Sequence, residues 1–173
     1  SQAEHDASSQ SILITDDAGF ADKVAVAAER QIAILPRQEI AARSWRDYGA
    51  IIVVQKLDDA APLADAFAPE HLEIATADPE SFAKKVRHAG AIFLGRHTPE
   101  AMGDYIAGPN HVLPTSRTAR FSSGLSVLDF MKRTTILGLD AKSIAAIGPD
   151  ALTLAESEGL DAHARSIAAR LNR

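Results

Sequence analysis

Residues 49–76, GAIIVVQKLDDAAPLADAFAPEHLEIAT, read as strand, helix, strand. GAIIVVQ (49–55) and HLEIAT (71–76) are short apolar runs with β-branched residues, and LDDAAPLADAF (57–67) between them has the composition and spacing of a short helix. The same alternation continues on both sides. Upstream, QSILITD (10–16) predicts a strand, and residues 17–45 repeat apolar positions at helical spacing with a break at Pro36. Downstream, a helix is predicted from Pro79 to about His88 and a strand over AIFLG (91–95). Strands alternating with helices imply βαβ units, and hence an α/β fold with a mainly parallel sheet flanked by helices.

Past residue 95 the pattern changes. Thr98 and Pro99 are suited to an N-cap and a first helical turn, predicting a short helix that runs into the loop AGPNHVLPTSRTARFSSG (107–124). A loop of 18 residues without periodicity is long for a compact domain and points to function. From Asp140 the chain is Ala-rich and helical, with breaks expected at IGPD (147–150) and at Glu158-Gly159. The expected organisation is an α/β domain over 1–139 and a helical C-terminal tail, or dimerisation segment, over 140–173.

Composition narrows the function. The 173 residues are 46% hydrophobic and 24% charged, enough apolar sequence for a real core. A net charge of -5 argues against a nucleic-acid surface, and the richest basic stretch, Arg117 to Arg133, is interleaved with Ser, Leu and Phe as in an exposed loop and helix. No apolar run is long enough for a membrane helix and no signal-peptide pattern opens the chain, so the expectation is a cytoplasmic protein. With zero cysteines, a metal would be held by His, carboxylate or amide. None of the 10 glycines forms G-x-G-x-x-G or a P-loop, so a dinucleotide would have to bind elsewhere and its binding residues are unknown.

The polar constellation is sparse. Gln2 and His5 lie three apart, Glu70 and His71 are adjacent, Asp104 is in the short helix, His111 is in the long loop, and Glu158 and His163 are five apart. Singly each has an ordinary structural reading: a lone histidine is more often a surface or hydrogen-bonded residue than a ligand. His88, after Lys84, Lys85 and Arg87, and His97 read as bystanders. The pair in APEHLE is harder to dismiss, because Pro69 stiffens the backbone leading into it at a strand end, where α/β sheets commonly bind ligands.

Five segments, SQAEHD, FAPEHLEIAT, AGAIFLGRHTPEAMGDYIAGPNHVLPT, FSSGLSVLDFMKR and AESEGLDAHARSI, together closely resemble the histidinol dehydrogenase family, in order and across essentially the whole chain. The resemblance implies a zinc-containing, NAD-dependent enzyme of histidine biosynthesis that oxidises L-histidinol through the aldehyde to L-histidine. It also implies that this chain is the C-terminal portion, with an incomplete Rossmann-like domain, and that most NAD-binding residues lie in an absent N-terminal half.

Carried over by motif, the resemblance assigns Gln2, His5, Asp104 and His163 to zinc and Glu70 and His71 to catalysis, His71 handling protons and Glu70 activating water. It places substrate against Gln2, His5, His71, Asp104, His111, Glu158 and His163, and implies a homodimer whose tail completes the partner's site, with no nucleic-acid or membrane partner. Two other readings stand beside it: a non-catalytic zinc-binding or dimerisation fragment lacking the NAD-binding half, and a metal-dependent hydrolase using Glu70, which the lack of H-E-x-x-H disfavours.

Overall fold

The computed structural model describes residues 1–171 and divides the chain into two compact units, Ser1–Phe130 and the part from Met131 onward. In the first unit, strands β1 (Ile12–Thr15) and β2 (Ala50–Val53) pair in parallel, joined by helices α1 (Ala18–Ile32) and α2 (Gln38–Tyr48). Pro36 falls between the two helices as its fixed geometry requires. Strands β3 (His71–Ile74) and β4 (Ala91–Leu94) form a second parallel pair around helix α4 (Pro79–Ala83). Helix α3 (Ala60–Phe67) links the two pairs.

The α/β class and parallel pairing agree with the sequence, but residues 49–76 do not make a paired unit: β2 bonds to β1, and β3 to β4. Periodicity marks an extended segment; which edges meet is a tertiary matter. The two ladders nonetheless share a core, in which Ala60, Ala61, Ile74 and Phe82 are buried with Ile14, Leu57, Leu72, Ala83 and Val86 packed against them. That α3 meets this core largely through alanines lets its backbone lie close to the strands.

Three boundaries differ from expectation. Helix α4 stops at Ala83 rather than near His88, because the backbone N–H groups of Arg87 and His88 donate to Asp65 Oδ1 of α3 at 2.7 and 2.9 Å instead of to the preceding turn. Helix α5 (Glu100–Tyr105) takes Pro99, not Thr98, as its N-cap. Helix α6 (Ala141–Ser157) runs unbroken through Gly148-Pro149. Proline deletes one helical hydrogen bond there, but Gly148 is buried with Leu171 so close that a Cβ would lie 3.0 Å from its Cδ2, and this packing holds the helix together. The break at Glu158-Gly159 occurs as expected, Gly159 taking φ 69°, and α7 (Asp161–Arg170) folds back to pack on α6. Among the described residues no helix is long and apolar enough to cross a membrane.

Candidate functional site

The site is built where α3 turns into β3. Ala68 ends α3 in the left-handed region, φ 47°, although it is not glycine and is 1% exposed; Pro69 follows and fixes the next φ. This sharp reversal delivers Glu70 and His71 to the start of the second ladder, where the carbonyls of Pro69 and Glu70 accept from the N–H groups of Gly90 and Ala91 at 2.9 Å each. Gly90 is needed for that approach: a Cβ there would lie 2.6 Å from the Glu70 carbonyl and 3.0 Å from Pro114 Cδ.

The long loop is fastened over this corner. Pro114 is buried against Gly90, the N–H of Leu125 donates to the Val112 carbonyl at 2.9 Å, and the Asn110 side chain donates to the Leu125 carbonyl. Arg117 and Arg120 both donate to the carbonyl of Ala66, in the last turn of α3, the latter at 2.6 Å. The basic stretch is thus partly a clamp on the helix C-terminus, where cations are favoured.

His71 is the centre of the cluster. Its Nε2 lies 3.5 Å from Asp104 Oδ1 and 3.8 Å from Glu100 Oε1, and all three side chains are largely buried. Glu100 and Asp104 are four apart in α5 and therefore face the same way. The His71 ring sits 5.9 Å from that of Phe93 on β4, tilted by 38°. Nε2 is buried and has no hydrogen-bond partner among the described residues, a costly state for a polar atom unless a ligand engages it. Among the described residues these three form the group of His and carboxylate side chains whose ligand atoms fall within 4.8 Å of one another, a possible cation site.

The other expected residues are placed differently. Gln2 lies in a single 3-10 turn, Gln2–Glu4, with His5 at its end, and this segment packs on α2: Arg37 Nη2 donates to the His5 carbonyl at 3.3 Å, and the fully buried Ser44 hydroxyl donates to Ser9 O at 2.8 Å. Among the described residues no hydrogen bond or ion pair joins Gln2 or His5 to Asp104. His111 is exposed in the loop and Glu70 half-buried beside His71. Glu158 caps α6 at its C-terminus and His163 is exposed in the first turn of α7, both in the second unit.

Glu100 went unread in the sequence. Its position in TPEAMGD offered one signal, four residues before Asp104 on the same helical face, but an exposed first-turn acid reads identically.

Comparison with known proteins decides the family. The family model for histidinol dehydrogenase matches residues 1–171. The chain belongs to the histidinol dehydrogenase family. It is 68% identical to the histidinol dehydrogenase of Rhodospirillum rubrum over 174 aligned residues, covering 100% of this chain and 40% of that protein. The Rhizobium meliloti histidinol dehydrogenase is 63% identical over 171 residues, with 99% of this chain and 39% of the relative covered. The crystal structure of histidinol dehydrogenase from Elizabethkingia anophelis superposes with a TM-score of 0.83 at 37% identity, over 98% of this chain and 39% of that one. The chain therefore spans about 40% of the length of the histidinol dehydrogenases it matches.

Proposed function

We propose that the protein to which this chain belongs is a zinc-containing, NAD-dependent dehydrogenase that oxidises L-histidinol through the aldehyde to L-histidine, acting as a cytoplasmic homodimer. The observation that carries this reading is the 3.5 Å approach of His71 Nε2 to Asp104, which puts an imidazole and a carboxylate in one largely buried site within a chain of this family.

Hydride removal from an alcohol needs a base for the hydroxyl proton, and oxidation of the aldehyde needs water added to it first. His71, with its buried Nε2 turned toward the acids of α5, is suited to accept the proton from the alcohol and then from the hydrate. Glu70, half-buried and adjacent, is suited to take a proton from the attacking water. His111 and Glu158 are assigned to substrate contacts, Glu158 with a carboxylate able to accept from an ammonium or imidazole N–H.

The donor set fits zinc in kind, since imidazole, carboxylate and amide are all within its ligand chemistry. Gln2, His5, Asp104 and His163 would hold the ion, which would supply a Lewis-acid anchor for the nitrogens of the substrate. The compact His71–Glu100–Asp104 group favours a second assignment on those three side chains. Zinc titration of His5→Ala, Glu100→Gln and Asp104→Asn separates the two: the first set requires loss with His5 and Asp104, the second with Glu100 and Asp104.

The oxidoreductase reading is tested by NADH formation from L-histidinol with the full-length enzyme. Wild type should turn over, and His71→Asn should lose at least about a hundredfold in kcat with a smaller change in KM. Near-normal turnover of the variant would remove His71 from the chemistry.

A further inference from the structure

Helix α5, which carries Asp104, has no cap of its own. Pro99 at the N-cap position makes no side-chain cap hydrogen bond, and at 6 residues the helix is far too short to be stable alone. Its first N–H, that of Glu100, donates instead to Glu73 Oε1 at 2.7 Å. Glu73 belongs to β3, two residues beyond His71, and the period of a strand sends both side chains to the same face. One face of one strand therefore presents an imidazole to Asp104 and a carboxylate to the start of the helix bearing Asp104.

Elsewhere α5 rests on β4. Gly103 is buried, and a Cβ at that position would come within 2.4 Å of Phe93 Cε1, so the helix lies directly on the ring that also neighbours His71. That contact sets the height of α5 above the sheet but leaves sliding along a flat ring open. Among the described residues, the Glu73–Glu100 bond is the side-chain hydrogen bond between β3 and α5, and a charge-assisted bond at a helix N-terminus is directional.

We propose that Glu73 is a positioning residue: by capping α5 from β3 it sets the separation of Asp104 from His71. This rests on the reading of His71 and Asp104 as parts of one working site. Glu73 is otherwise exposed, so its replacement should leave the chain folded.

The test uses Glu73→Ala, which removes the acceptor, and Glu73→Gln, which keeps a neutral one. In the full-length enzyme, Glu73→Ala should accelerate amide exchange of Glu100 by about tenfold, within the range of a lost N-cap, and should shift the NMR signal of the His71 ring, whereas Glu73→Gln should do less of both. In the full-length enzyme Glu73→Ala should lower kcat by about tenfold or more with little change in KM, a misplacement effect, and this loss should largely vanish in an Asp104→Asn background because both changes act on one arrangement. Unchanged Glu100 exchange, an unmoved His71 signal, or losses that simply add to those of Asp104→Asn would overturn the proposal. A wild-type enzyme inactive on L-histidinol would sink the dehydrogenase reading, while the exchange and NMR measurements would still decide the role of Glu73.

Discussion

Glu70 and His71 are neighbours, and under the proposed function their roles would separate by which half-reaction consumes water. Glu70→Gln in the full-length enzyme should slow the aldehyde-to-acid step by about tenfold or more while the alcohol step changes less, in line with the contribution of a positioned base; single-turnover kinetics started from histidinol and from the aldehyde make the comparison. Equal losses in both would show that Glu70 only positions His71. Glu100 adds a second carboxylate near Nε2, at 3.8 Å, with its residue 9% exposed. Glu100→Gln keeps its volume, so a kcat reduced by about tenfold at an unchanged thermal midpoint would assign its effect to the carboxylate rather than to packing. Gly90 is the residue whose importance is steric. With the Glu70 carbonyl 2.6 Å from where its Cβ would lie, Gly90→Ala must shift the start of the β3–β4 ladder, and the expected cost is about 1–3 kcal/mol in a denaturant titration.

Helices α1, α4 and α6 are begun by aspartates. Asp17, Asp78 and Asp140 each accept a backbone N–H three residues on, opening α1, α4 and α6 at 3.0, 3.1 and 2.7 Å. Hydrogen bonding from Ser143, its side chain and then its backbone N–H, holds the Asp140 carboxyl below its ordinary value of 3.8. A carboxyl depressed by folding stabilises the structure above its unfolded pKa and loses that contribution as pH falls through the lower folded value. The first turn of α6 should therefore be intact at pH above 3.8 and fray only below it; exchange or chemical-shift titration of the Ser143 amide reads this directly, and fraying that begins near neutrality would contradict it. The helix-breaking signal at Gly148-Pro149 failed for the opposite reason, since packing against Leu171 outweighed a local propensity.

For the whole molecule, the expected ligands are divided between the two units: Gln2, His5 and Asp104 in the first, His163 in the second. If the tail completes the site of a second subunit, metal binding and dimerisation are linked, and chelation should shift the enzyme toward smaller species in sedimentation. Full-length His163→Ala and Asp104→Asn, each with strongly reduced turnover alone, should regain activity on mixing and subunit exchange. Two-fold symmetry leaves about half of the sites in a heterodimer free of both changes. Mixtures no more active than their components would confine His163 to its own subunit.

Much of the chain was legible before its structure. The four strands, the helix break at Pro36 and the turn at Gly159 rest on local chemistry, namely β-branched runs, fixed φ and a left-handed residue, which neighbours in sequence dictate. Glu70 and His71 stood out because Pro69 precedes them at the start of a strand. What sequence could not reveal depends on groups far apart in the chain. Pairing of β2 with β1 rather than β3, the early end of α4 on Asp65, the clamp of Arg117 and Arg120 on Ala66, and the meeting of Glu100 with His71 are all contacts across 22 to 54 positions or between elements. Such contacts leave no periodicity behind, because they are selected by which surfaces the shared core of Ala60, Ala61, Ile74 and Phe82 brings together.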